Sequence, residues 1–410
     1  MTRMRKLKLA YLVTHPIPYQ APLLRKVAAE PDIDFTAFFG TDFTTRPFVA
    51  GDFGQTIVWD VPLVEGYAHR TLPRLDPQPP AGILEPLTLW RPLSYGFARA
   101  LDEGRFDALW IHGYAHVSHW AAILSAKRRG IKVLMRDEAT PISAVRSPAK
   151  RLAKRVFFEG LKRGVDAFLA IGSLNRRYYV ENGVPDSRIF DVPYAVDNER
   201  FAAQAQAAAA DRAALRRSLG IAPGRPVVLF CAKLIERKRP RLLLDAFARI
   251  HADPAMRLPV LAFVGDGPQR AELEAEAAKL GPDAVRFLGF KTQNELPACY
   301  GLADAFVLPS GQEAWGLVVN EVMCAGKAVI CSDSIGCAPD LVRPGENGAI
   351  FRTDDVGDLA RALADVLGDA DRLAAMGNRS TEIIGRWGYA EDVAGLRAAL
   401  AAVCPGKLAP

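Results

Sequence analysis

The chain has 410 residues, of which 50% are apolar and 24% charged, with a formal net charge of +6. That length supports two domains of roughly 200 residues, each with its own core. The positive excess is too small to be a nucleic-acid footprint and suits a phosphate-bearing ligand or an anionic membrane surface.

Cys231, Cys299, Cys324, Cys331, Cys337 and Cys404 form no C-x-x-C pair and sit mostly in apolar runs. Structural thiols in a reducing compartment are expected rather than disulfides or zinc, which points to the cytoplasm. The basic start, Arg3, Arg5, Lys6 and Lys8, leads into an apolar run of only residues 9–13, cut off by Thr14, His15 and Pro16. Such a run is too short for a signal-peptide core and fits a buried first strand, and no other stretch has the length to span a membrane.

Residues 9–13, 35–39, 108–111, 133–135 and 167–171 are short apolar runs with β-branched or aromatic content, separated by segments of helical period such as 21–29 and 120–129. Strands alternating with helices predict a parallel sheet covered on both faces. Residues 60–95 break the pattern: Pro62, Pro73, Pro77, Pro79, Pro80, Pro86 and Pro92 stand there with Trp90 and Arg91. A long irregular excursion from the sheet is expected, serving either as a binding loop or as surface packing.

In doubly wound sheets, ligands bind beyond the carboxyl ends of the strands. Those places hold Thr14, His15, Pro16, Ile17, Pro18 and Tyr19, then His112, Gly113 and Tyr114, then Arg136, Asp137 and Glu138. His15, His112, Arg136 and Asp137 are the candidate ligand rim of this half; the alternative is that each caps the helix that follows. Residues 147–164 alternate Lys150, Arg151, Lys154, Arg155, Lys162 and Arg163 with Leu152, Val156, Phe157, Phe158 and Leu161. This pattern fits a helix packed on its own domain or one lying on an anionic membrane.

An alanine-rich helix over 202–219, closed by Gly220 and Pro223, separates this half from a second one. From about residue 220, runs 227–231, 260–264, 285–288, 305–308 and 329–331 alternate with helical segments 240–250, 271–280 and 295–300. This is a second doubly wound domain, and no 20–50-residue repeat underlies either half.

The chemistry is densest over residues 306–342. Glu313-Ala314-Trp315-Gly316-Leu317 leads into a short helix that stops near Gly326. A helix beginning near Gly316 offers its free N–H groups to phosphate. Glu321 lies about a turn inside that helix and Glu313 stays outside, so the two carboxylates suit the hydroxyls at the two ends of a diphosphate-linked ligand. An N-terminal helix carboxylate plus an exposed glutamate is the plainer alternative.

Lys233 and Lys238 follow the strand at 227–231 and can neutralise a diphosphate as its charge develops. Gly265-Asp266-Gly267-Pro268 ends the next strand in a turn that lets backbone approach a ligand. Arg270 occupies the third glycine position of a dinucleotide fingerprint, so the turn is not one. Phe287-Leu288-Gly289-Phe290 follows another strand, and Phe290 could line a flat base or close a core edge. Asp32-Ile33-Asp34 and Asp369-Ala370-Asp371 match a D-x-D metal string, and His112, His116 and His119 have usable zinc spacings, but neither set has the context such sites need, and no metal is expected.

Lys233 … Lys238, Gly265-Asp266-Gly267-Pro268, Leu288-Gly289, Pro309-Ser310, Glu313 … Glu321 and Pro339-Asp340-Leu341-Val342 … Gly345-Glu346-Asn347-Gly348 together resemble the retaining glycosyltransferases of family four. Val192-Pro193-Tyr194-Ala195-Val196-Asp197 … Phe201 resembles the family's interdomain segment. The resemblance is strong over 190–350 and weak before it. It implies an α/β chain of GT-B fold, two Rossmann-like doubly wound domains facing each other across a cleft. The domains would be an acceptor-binding one over 1–195, a nucleotide-sugar-binding one over 196–385, and a last helix over 386–410 crossing back to the first.

The resemblance further implies that Glu313 and the backbone at Gly316 and Leu317 contact the donor sugar and phosphates, Glu321 the ribose, and Lys233 and Lys238 the diphosphate. The sugar would pass with retention from a nucleotide diphosphate to a glycan, lipid-linked or small-molecule acceptor, the leaving phosphate helping to deprotonate the acceptor, with no cofactor or metal and no nucleic-acid partner. His15, His112, Arg136 and Asp137 would form the acceptor or sugar rim, with peripheral membrane contact through 147–164.

The chain departs from the family at Lys233, where arginine is usual, at Arg239, where glycine is usual, and at His15-Pro16-Ile17-Pro18, where the family has a glycine-rich turn. Arg136-Asp137-Glu138 stands where many members have a histidine. The competing functions are a nucleotide-sugar epimerase of the same shape and a non-catalytic nucleotide-binding partner.

Overall fold

The computed structural model describes residues 5–50, 55–78, 82–143, 147–254, 256 and 258–408. Arg3, Pro79 and Pro80, named above, lie outside them. The chain divides into two compact units, one of Met1–Ala50, Gln55–Tyr194 and Tyr389–Pro410, the other of Gly51–Gly54 and Ala195–Gly388. Each holds a parallel sheet of Rossmann-like type.

The strands of the first unit are β1 (Leu7–Val13), β2 (Ile33–Phe39), β3 (Phe48–Ala50), β4 (Gln55–Ile57), β5 (Ala68–Thr71), β6 (Gly82–Ile83), β7 (Ala108–His112), β8 (Lys132–Arg136), β9 (Ala167–Ala170) and β10 (Ile189–Asp191). Among the described residues the main sheet has the order β10-β9-β8-β7-β1-β2-β5, and β4-β3-β6 form a small separate sheet. Leu9 of β1 is level with Phe35 on one side and Ala108 on the other. Nearly every residue of β1 is buried, because helices cover a parallel sheet on both faces and an alternating pattern would put polar groups into a core.

The helices between these strands are α1 (Ala21–Ala29), α2 (Phe97–Gly104), α3 (Val117–Arg128), α4 (Pro148–Gly164) and α5 (Ser173–Glu181). Their apolar faces, including Phe97, Ile123, Phe158 and Tyr179, join Leu12, Phe38, Ile111 and Phe168 of the sheet in one core.

The excursion over 60–95 is less irregular than its prolines suggest. It contains β5, whose Ala68 is level with Thr36 and which forms an edge of the main sheet. All four residues of β5 are exposed and three are polar, as suits an edge strand, which is why no apolar run announced it. A buried ion cluster then pins the chain: Arg74 donates to Glu85 at 2.8 Å and pairs with Asp76, Thr41 donates to Glu85 at 2.6 Å, and the Leu93 N–H donates to Asp76 at 2.8 Å.

The second unit contains β11 (Val227–Cys231), β12 (Val260–Val264), β13 (Val285–Phe287), β14 (Ala305–Leu308), β15 (Ala328–Ser332) and β16 (Gly348–Phe351), in the order β13-β12-β11-β14-β15-β16 among the described residues. Its helices are α6 (Asn198–Ser218), α7 (Pro240–His251), α8 (Arg270–Ala277), α9 (Leu296–Leu302), α10 (Leu317–Cys324), α11 (Ala338–Leu341), α12 (Val356–Leu367) and α13 (Ala370–Ile384). Phe230, Phe263, Val307 and Ile330 of the sheet pack with Leu243, Phe247, Leu359 and Leu363 of the helices. Asp369 is the N-cap of α13, its side chain accepting from the Arg372 N–H.

The last helix, α14 (Tyr389–Val403), belongs to the first unit, where it packs on β10. Gly395 permits the close approach: a Cβ there would lie 1.9 Å from the Asp191 carbonyl oxygen. Arg397 donates to Glu30 and Asp32 at 2.7 Å each, so the first D-x-D string is engaged in an ion pair. Among the described residues no helix is long and apolar enough to cross a membrane.

Candidate functional site

In the second unit, the loop after β11 carries Lys233 and a short turn, Glu236–Lys238, before α7. Lys238 forms an ion pair with Glu313 from the loop after β14, and Arg237 lies 3.6 Å from the same carboxylate. Ser310 donates to Glu313 at 3.2 Å. The backbone locks these loops together, with Gly311 N–H donating to the Arg237 carbonyl at 2.9 Å and Glu313 N–H to the Ser334 carbonyl at 3.1 Å. Two carboxyl-end loops thus hold one carboxylate among two cations.

Gly316 caps α10 in a left-handed conformation, φ 102°, and no side chain caps the helix start at Leu317. Below the first turn, Trp315 donates to the buried Asn320 at 3.0 Å and stacks on Trp387 at 5.6 Å, which fixes the helix entry. Glu321 sits in the second turn and accepts a hydrogen bond from the Tyr300 hydroxyl. Burial pushes its carboxyl up to about 7, against the opposing effects of Tyr300 and Arg200. The two glutamates therefore differ in kind: Glu313 is ion-paired and Glu321 is desolvated.

Lys233 and Phe290 are half-buried in the loops after β11 and β13. Gly265 has another reason to be glycine than the expected ligand approach. At φ 128° a Cβ would lie 2.0 Å from the Ala232 carbonyl oxygen, so it is the protein's own Lys233 loop that comes close. Arg239 adopts φ 52°, a conformation natural for the family's glycine, and its guanidinium is held by Asp354 at 2.7 Å and Glu236 at 2.6 Å. Its charge is thereby largely neutralised at home.

In the first unit, His112 is the hub. Its Nδ1 lies 3.1 Å from Gln20 Nε2, its Nε2 3.3 Å from the Tyr194 hydroxyl and 3.7 Å from Glu138. Glu138 accepts from Tyr194 and from Tyr19, the latter at 3.3 Å. Burial would raise its carboxyl, but His112 and the two hydroxyls prevail and hold it at about 2. His15 pairs with Thr14 at 2.9 Å, and burial, reinforced by His112 and His116, lowers its imidazole to about 4.

Arg136 and Asp137 are not rim residues. Arg136 is 1% exposed and donates inward to the Val192 carbonyl at 3.0 Å, the Pro193 carbonyl at 3.2 Å and Asp392 at 3.0 Å, with its guanidinium 4.5 Å over the Tyr194 ring. Asp137 is buried, accepts from the Ala139 N–H at 2.7 Å, and is pushed up to about 7 by desolvation. Both point into the unit because their polar partners lie there. The least buried member of Arg136-Asp137-Glu138 is the half-buried Glu138, which the sequence placed at the strand end without singling out.

Tyr300 is the other residue that sequence reading passed over. It sits in an apolar helix, and nothing in its spacing links it to Glu321. His116 bonds the Thr88 carbonyl at 2.7 Å and His119 the Gly113 carbonyl at 3.1 Å, so these two histidines turn to backbone; the described residues contain no group of three or more potential metal ligands.

Residues 211–383 match the family model "Glycosyl transferases group 1". The chain is 36% identical over 220 residues to D-inositol 3-phosphate glycosyltransferase of Nocardia farcinica, covering 52% of this chain and 47% of that protein. It is 27% identical over 309 residues to the GDP-mannose-dependent alpha-(1-6)-phosphatidylinositol monomannoside mannosyltransferase of Mycolicibacterium smegmatis, covering 72% and 77%. The chain spans about half the length of the first-matching curated relatives. Among solved structures it resembles Anabaena HepE in complex with UDP, with a TM-score of 0.70 and 19% identity over 97% of this chain and 100% of that one. Sucrose-phosphate synthase of Thermosynechococcus elongatus gives a TM-score of 0.69 at 18% identity over 97% and 100%. At such identities the likeness establishes fold. The chain thus has two Rossmann-like domains, the fold class of its GT-B structural neighbours, and, over 211–383, is similar to the glycosyl transferases of group 1.

Proposed function

We propose that the protein is a retaining glycosyltransferase that moves a sugar from a nucleotide diphosphate to an acceptor. The observation that carries this reading is the Lys238–Glu313 pair at the carboxyl end of the second unit's sheet, beside the uncapped start of α10. The family match over 211–383 and the sugar-transferring relatives support it.

In this reading the donor diphosphate lies against the first N–H groups of α10 and between Lys233 and Lys238, whose charge offsets the negative charge that grows on the leaving group. Glu313, freed from Lys238 as phosphate takes its place, accepts from sugar hydroxyls. Glu321 accepts from the ribose. The bond between the anomeric carbon and the diphosphate oxygen breaks, the acceptor oxygen bonds to that carbon on the same face, and the acceptor proton passes to the leaving diphosphate. The lysines supply the charge that a metal would otherwise supply, so transfer is expected to be unchanged by a chelator.

The acceptor is a glycan, a lipid-linked sugar or a small molecule, and His15, His112 and Glu138 of the first unit are its proposed contacts. On α4, Leu152 and Val156 are each 65% exposed beside the exposed Lys150, Arg151 and Arg155, a composition suited to peripheral contact with anionic lipid.

A panel of UDP-, GDP- and ADP-sugars tested for thermal stabilisation identifies the donor. Transfer is then followed with inositol phosphates and lipid-linked sugars as acceptors, and the anomeric configuration of the product is read by NMR. An inverted product overturns retention. Conversion of the sugar with donor alone would instead mark an epimerase, and binding without any turnover a non-catalytic partner.

A further inference from the structure

A cavity of about 490 Å³ opens at the amino ends of three strands of the second unit, the opposite end of the sheet from Lys238 and Glu313. Arg225 precedes β11, Asp304 precedes β14 and Lys327 precedes β15; with Arg212 and Arg216 of α6 they line it. The five residues of β11 alone put roughly 16 Å between this cavity and the candidate donor site.

Four cations here share one lining carboxylate. Asp304 takes Arg212 at 2.6 Å and Arg216 at 3.5 Å, and also accepts from the Val227 N–H at 2.8 Å. Arg225 donates to the carbonyls of Leu258 at 2.7 Å and Pro259 at 3.3 Å, and Arg216 likewise donates to the Arg225 carbonyl, which satisfies N–H groups and leaves the charge. Asp283 approaches Arg225 from outside the cavity, against the like charges of Arg286 and Arg216.

The Lys327 ammonium has no hydrogen-bond or ion-pair partner among the described residues, and desolvation together with Arg212 lowers it to about 8 against the opposing pull of Asp304. Arg212 Nε is buried without a partner. Like charges held together away from water are costly, and a multiply charged anion removes the cost.

We propose that this cavity binds a small phosphate-bearing anion, held by Lys327, Arg212, Arg216 and Arg225. Guanidinium groups match phosphate oxygens in pairs, and Lys327 adds a point charge. The volume is that of a small-molecule site. The lining has no aromatic side chain, so it recognises phosphate and not a stacked base.

Pyrophosphate is the probe, measured by equilibrium dialysis against the full chain at fixed ionic strength set with sodium chloride. The chain carries Lys238→Met, which weakens binding at the candidate donor site. Saturable binding is expected to persist in this Lys238→Met protein and to weaken about tenfold when Lys327→Met is added. Lys327→Met removes an unpaired, desolvated ammonium and should leave the thermal midpoint unchanged or higher. Arg225→Gln is the second variant, with the same expected loss, should Lys327→Met fold poorly. Absence of saturable binding in the Lys238→Met protein overturns the proposal, as does an affinity indifferent to both Lys327→Met and Arg225→Gln.

Discussion

Lys238 and Glu313, 75 positions apart, form an ion pair at the carboxyl end of the second unit's sheet, with Arg237 3.6 Å from the same carboxylate. Both side chains are mostly shielded, so removing either leaves its partner's charge poorly compensated. Glu313→Gln and Lys238→Met are each expected to cost about 1–3 kcal/mol of stability, and the double variant less than the sum by about 0.5–3 kcal/mol. Turnover should fall by about 10²–10³ in either single variant. Urea unfolding and initial rates measure both; additive stabilities would deny the pair, and an unchanged rate for Glu313→Gln its catalytic role.

Glu321 links stability to pH. Its carboxyl is raised from an ordinary 4.5 to about 7 by burial, so the folded chain holds this proton more tightly than the unfolded chain. Its contribution is therefore full below pH 4.5 and is lost as pH rises toward 7, at no more than about 1.4 kcal/mol per unit. Glu321→Gln should flatten this part of the curve. Urea midpoints at pH 5 and pH 7.5 decide: an identical fall in both proteins would remove the effect from Glu321.

The Arg136–Asp392 pair, both side chains 1% exposed, ties α14 to the strand end of β8 within the first unit. Breaking such a pair from one side strands a buried charge. Asp392→Asn or Arg136→Met is expected to destabilise by about 3–5 kcal/mol, and an apolar double replacement by much less. Denaturant midpoints of the three variants test this, and a double variant as unstable as the sum would contradict it.

If α4 meets a lipid surface, the wild-type chain should sediment with vesicles containing anionic lipid and stay in solution with neutral ones. Leu152→Asp with Val156→Asp should reduce that binding at least about tenfold without changing the thermal midpoint, since both residues are exposed. Binding equal in the variant and the wild type would assign it elsewhere.

The sheets were legible in the sequence because a strand buried on both faces needs an unbroken apolar run, and residues such as 227–231 and 260–264 have one. β5 was not legible: Ala68-His69-Arg70-Thr71 has no apolar pattern, and only pairing with β2 makes it a strand. The directions of side chains were less legible still. Arg136 looked like a rim residue because it ends a strand, yet Asp392, 256 positions away, draws it inward.

By itself the sequence determined that there are two doubly wound sheets and which loops leave their carboxyl ends, since periodicity and glycine or proline stops are local properties. It also placed Glu313, Lys233 and Lys238 on those loops and Glu321 inside the helix that follows one of them. Only the tertiary structure decided their partners: Lys238 for Glu313, Tyr300 for Glu321, Tyr194 and His112 for Glu138. Partnership and desolvation depend on residues distant in the chain, and these set whether a carboxylate is held charged, as Glu138 is, or driven toward neutrality, as Glu321 is.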